Sequence, residues 1–128
     1  MTHSKSKPMI VLHPEWGGVF AWLRNNDGTH DAFGFSSAWG GRPVELRKAT
    51  GASRELVRAL CDWQLAFENC VEPEDCPFWR NREPRVRYLL KLLDARAFEL
   101  AKQLKAEIGA RFRVAVAPLA RKYRDIEV

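Results

Sequence analysis

The chain has little of what most enzymes and secreted proteins are built from. Three of its 128 residues are cysteine, and three are histidine. An odd cysteine count with no C-x-x-C spacing argues against a secreted disulfide framework. No apolar run approaches the about 18 residues needed to cross a bilayer. The short MIVL segment, residues 9–12, is the only apolar stretch near the start, and a secretory signal needs a longer one. A cytoplasmic protein is therefore expected. G-x-S-x-G, a P-loop and H-E-x-x-H are all missing, which removes the common hydrolase, nucleotide-binding and zinc-protease signatures. No internal repeat or low-complexity tract is visible.

What is present is the composition of one globular domain spanning 1–128, with a polar start, 1–8, expected to be disordered. The hydrophobic share is 46% and the charged share 29%, both ordinary for a folded chain. The net charge of +5 is unevenly distributed. Residues 1–50 carry 6 basic and 4 acidic side chains, residues 51–83 carry 4 and 7, and residues 84–128 carry 11 and 5. An acidic middle thus precedes a basic end.

Val19–Leu23 and Ala32–Phe35 flank Asp27-Gly28, a pattern that predicts a β-hairpin because glycine accepts the positive φ of a tight turn. A strand at Met9–Leu12 is compatible with its apolar run. Residues 36–52 read as irregular, and Val44–Lys48 has no assignment. Ser53 is a candidate N-cap for a helix from Arg54 to about Asn69, where Leu56, Leu60, Trp63 and Phe67 fall on one face. Pro84 suits the first position of a second helix. Its apolar stripe runs from Val86 through Leu89, Leu90, Leu93, Ala97, Leu100, Ala101 and Leu104 to Ile108, and Gly109 stops it. Phe112–Ala117 reads as a closing strand. The order predicts an α+β fold, a small, largely antiparallel sheet of N-terminal hairpin plus C-terminal strand packed against two helices.

The candidate chemistry concentrates in FENCVEPEDCPFW, residues 67–79. Cys70 and Cys76 with Glu72, Glu74 or Asp75 do not match structural zinc, whose cysteines come as C-x₂₋₄-C pairs with a second pair elsewhere. Carboxylates in a wet, proline-bounded loop stay ionised and make poor acids near neutral pH. Cys61 lies on an apolar helix side, where thiols are inert. His30-Asp31 resembles a histidine with an orienting acid, but sits beside the hairpin turn. The sequence therefore assigns no catalytic residue, metal site or cofactor. Basic residues on the second helix and at Arg111, Arg113, Arg121, Lys122 and Arg124 permit nucleic-acid binding without a recognition motif to accompany them. Tyr88 and Phe98 lie off the leucine stripe, so each is either covered by another element or exposed as an interface anchor. Two readings of the acidic segment stay open. One is a surface that steers and anchors a basic protein; the other is a solvated loop whose Trp79 folds back on the helix pair.

The hairpin RNNDGTHDAFGF (24–35), the helix SRELVRALCDWQLAFEN (53–69) with its Leu60, Trp63 and Phe67-Glu68 spacing, LAKQLKAEIG (100–109) and the strand FRVAV together resemble small immunity proteins of bacterial toxin–immunity systems, including contact-dependent growth inhibition. The resemblance spans about residues 19–117. It implies a non-enzymatic protein that binds and neutralises one cognate toxin domain, often a nuclease. Glu68, Glu72, Glu74, Asp75, Phe78 and Trp79 are then the expected partner-binding residues. The alternative is a nucleic-acid-binding protein or small nuclease using the basic C-terminal half. No membrane partner is expected.

Overall fold

The computed structural model describes residues 7–34, 42–75, 78–121 and 124–128, and these form five strands and three α-helices. The strands are β1 (Met9–Leu12), β2 (Val19–Arg24), β3 (His30–Gly34), β4 (Arg113–Val116) and β5 (Ile126–Glu127). The helices are α1 (Pro43–Thr50), α2 (Arg54–Cys70) and α3 (Pro84–Ile108). One sheet holds all the strands in the order β3-β2-β1-β4-β5. The α+β class holds, with two corrections of detail: there are three helices, and the sheet is mixed.

The β2–β3 hairpin forms at the Asp27-Gly28 turn. Gly28 takes a φ of 88°, and the Asp27 carboxylate accepts from the Thr29 backbone N–H and hydroxyl. β1 pairs antiparallel with β2 but parallel with β4. The parallel pairing follows from α3, whose 25 residues carry the chain back along the sheet before β4 begins. The Arg113 N–H then bonds the Pro8 carbonyl, and Lys7 reaches the Gly109 carbonyl. Residues 7 and 8 are thus held in place, although the sequence predicted disorder there; residues 1–6 lie outside the described part.

Strand alternation divides the sheet into two faces. Ile10, Leu12, Phe20, Leu23, Phe33, Val114 and Val116 join Leu56, Leu60, Phe67, Leu90, Leu100 and Leu104 in the main core. Val11, Ala115 and Ala117 form a smaller cluster on the opposite face, with Met9 and Trp22 against it. The helices therefore cover one face.

Two side chains lock the helix layer. Ser53 caps α2 by accepting from the Leu56 N–H, while its own N–H and hydroxyl both donate to the Glu107 carboxylate near the end of α3. The Trp63 indole donates to the Leu93 carbonyl at 3.0 Å. Asp94, buried on α3, accepts from the Leu119 and Ala120 N–H groups. It thereby turns the chain after β4 back onto the helices. Burial pushes the Asp94 carboxyl up, against the lowering effect of those two bonds. The short β5 then pairs with β4, and Arg113 bonds Glu127 across the pair.

Candidate functional site

Phe67 ends the buried stripe of α2, and the segment after it folds inward rather than away. The Trp16 indole donates to the Val71 carbonyl at 3.1 Å. Trp16 packs on both Phe67 and Phe78 with ring centroids 5.0 Å apart in each case, and Phe67 meets Phe78 at 5.8 Å. This three-ring cluster closes the end of the core. Phe78, expected at a partner surface, is only 6% exposed and belongs to that core. Glu68 is also occupied, accepting from the Gly17 N–H. The signal for this was Trp16, which nothing in its local sequence singled out.

The four remaining predicted residues separate into two groups. Glu72 and Glu74 are exposed around the 3₁₀ turn Pro73–Asp75. Asp75 closes that turn, its carboxylate accepting from the Glu72 N–H and its carbonyl accepting from Asn81. Trp79 lies on the next 3₁₀ turn, Phe78–Arg80. It is half-buried, with the Arg80 guanidinium 4.2 Å from the ring centroid. Trp79, Arg80, Asn81, Arg82 and Arg87 together line an open groove of about 600 Å³. The tryptophan expected to anchor an acidic surface thus faces arginines. Cys76 lies outside the described residues. Cys70 is an exposed free thiol.

A second feature, missed in the sequence, runs between α2 and α3. Ala59, Trp63, Ala66 and Cys70 on one side meet Leu89, Leu92 and Leu93 on the other, with Asp62 and Arg96 also in the lining. The groove holds about 340 Å³. Leu92 is 50% exposed on its wall. Leu65 and Tyr88 are other large side chains left exposed. Tyr88 is therefore the exposed one of the two off-stripe aromatics, whereas Phe98 packs against the main core. Leu92 was the available signal, because it falls outside the stripe that runs through Leu90 and Leu93. Cys61 is half-buried, and desolvation, with a smaller effect of Asp62, raises its thiol pKa.

A third hollow, about 420 Å³, lies on the sheet face opposite the helices and is lined by Val11, His13, Glu15, Trp22, Arg24, His30, Ala117 and Asp125. His13 is buried and committed at both nitrogens, to the Ala117 carbonyl through Nδ1 and to Glu15 through Nε2, each at 3.1 Å. Arg24 pairs with Asp125 across the hollow. Asp31 accepts from Asn25, so its carboxylate is engaged by the hairpin turn. Among the described residues no cluster of three or more His, Cys, Asp or Glu is placed to hold a metal ion, and no helix is long and apolar enough to cross a membrane.

No family model, no curated protein and no solved structure matches the chain.

Proposed function

We propose that this protein acts in the cytoplasm by stoichiometric binding, neutralising a cognate toxin domain without chemistry of its own, and that it docks through the outer face of α2 and α3. The resemblance to immunity proteins supplies the kind of partner. The observation that carries the choice of surface is the apolar groove between the two helices, with Leu92 half exposed on its wall. Contiguous apolar surface left open on a small domain marks an interaction site, because burying it against a partner removes it from water. A pair of helices locked by the Trp63–Leu93 bond presents that groove preformed, which lowers the ordering cost of binding. Glu72 and Glu74, exposed just beyond the end of α2, add negative charge suited to steering a basic nuclease domain.

The test is capture of the partner from the source cell, followed by a comparison of wild type with Leu92→Arg. Leu92 is on the surface, so the variant should fold. A single protein retained at high salt and after nuclease treatment, with affinity lowered about tenfold or more by Leu92→Arg, is the expected result. Undiminished capture by Leu92→Arg would remove the groove from the interface. Recovery of nucleic acid alone would remove the toxin reading.

A further inference from the structure

Among the described residues, the turn leading into α3 gathers cations that have no carboxylate partner. Arg80, Arg82 and Arg87 line one groove, and all three are exposed. Among the described residues, the ion pairs are His13–Glu15, Arg24–Asp125, Arg96–Glu99 and Arg113–Glu127. Among the described residues, none of the groove arginines forms an ion pair with a carboxylate. Glu83 is exposed at the N-cap of α3 and makes no capping bond. The first turn of α3 carries no acidic residue either. Like charges gathered in this way raise the energy of the free protein, and an anionic ligand relieves that repulsion.

The groove has a second property. The Arg80 guanidinium is stacked on the indole of Trp79, giving a flat, cationic, aromatic platform at its side. Guanidinium groups bind phosphate through paired N–H donors. A flat platform of this kind binds the face of an unpaired base. We infer that the Trp79–Arg80–Arg82–Arg87 groove is a binding site for single-stranded nucleic acid, with the arginines on successive phosphates and a base stacked on the Trp79–Arg80 pair. A carboxylate-rich peptide would satisfy the guanidiniums but leave the platform unused, and a duplex keeps its bases stacked within itself. A single strand uses both features.

This site is separate from the proposed docking groove. Arg87 and Leu89 are two positions apart on α3, about 200° around the helix, so the two grooves open on different sides. Either can fail without the other.

The experiment is a titration of the full chain against a fluorescein-labelled oligothymidylate by anisotropy, over a range of salt. Each phosphate contact contributes about −0.7 to the log–log salt slope for a single strand, so three arginines give a slope near −2. Arg82→Ala and Arg87→Ala should each weaken binding and flatten the slope by about 0.7. Trp79→Ala should weaken it by roughly tenfold or more at every salt concentration. The two arginine variants carry exposed replacements, so they remain informative if Trp79→Ala loses stability. Lys102→Ala is the control, an exposed cation about 22 Å further along α3 at 1.5 Å per residue; it should leave affinity unchanged. Three results would each overturn the site: no salt-dependent binding, equal weakening by Lys102→Ala, or equal affinity for a duplex or a polyglutamate peptide of matching length.

Discussion

His13 shows how one buried side chain makes stability depend on pH. Burial opposes its charge, yet the hydrogen bonds to Glu15 and the Ala117 carbonyl, with the charges of Glu15 and Asp94, outweigh burial and raise its pKa above the ordinary 6.5. Folding therefore favours the imidazolium. The stabilisation is fully present below the unfolded-state pKa and is lost as pH rises through the folded-state value, when the Nε2 proton that faces Glu15 leaves. Urea midpoints should fall as pH is raised from about 6 through that range. His13→Gln should be less stable at low pH and lack this slope. A variant that keeps the wild-type slope would assign the titration to another group. The same residue bears on catalysis, since a histidine with both nitrogens engaged and a raised pKa is a tie between the ends of β1 and β4 and a poor general base.

At the scale of the element, α1 is the informative case. Its sequence, PVELRKAT, has only Leu46 and Thr50 buried, too few apolar positions in eight residues to establish a helical period. The decisive signals were at its ends. Pro43 occupies the first turn, and Gly51 follows the last residue at a φ of 82°, the proline-before, glycine-after asymmetry of a helix. A Cβ at Gly51 would also come within 2.7 Å of Arg111 Nη2, the atom that donates to the Thr50 carbonyl. Gly51→Ala should thus cost about 1–2 kcal/mol from the left-handed backbone alone, with more from displacing Arg111. Denaturant unfolding measures it: a loss confined to about 1–2 kcal/mol would show that Arg111 yields freely, and a loss below about 0.5 kcal/mol would overturn the backbone argument. By contrast, α2 and α3 were legible to within a residue, because each repeats its apolar spacing over many turns and carries a start signal, Ser53 as N-cap of α2 and Pro84 as the first residue of α3. β5 was not legible. Two residues have no period, and their place depends on Asp94 catching Leu119 and Ala120, a contact between residues 25 and 26 positions apart. The candidate site was legible only in composition. Sequence put Phe78 and Trp79 side by side as equivalents, but consecutive residues of a 3₁₀ turn point different ways. One enters the ring cluster with Trp16, and the other meets the arginines.

Across the whole molecule, opposite charges stand on consecutive turns. Glu72 and Glu74 surround the first 3₁₀ turn, and Arg80, Arg82 and Arg87 surround the groove beyond the second. An edge with both signs orients an approaching partner more than it holds one, because exposed charges act at long range and are screened by salt, whereas desolvated apolar contacts set how long a complex lasts. The two proposed elements of toxin binding should therefore separate kinetically. Replacing Glu72 and Glu74 together by glutamine, and leaving Asp75 because it closes the turn, should lower the association rate with the captured partner by roughly threefold or more at low salt. The dissociation rate should hardly change, and the difference from wild type should shrink as salt is added. Leu92→Arg should do the reverse, accelerating dissociation with little effect on association. Surface kinetics on the purified complex reads both constants at once. If the double glutamine variant instead speeds dissociation, the carboxylates are contacts inside the interface. If it associates as fast as wild type at low salt, the partner's facing surface is not basic, and the acidic turn plays no part in steering it.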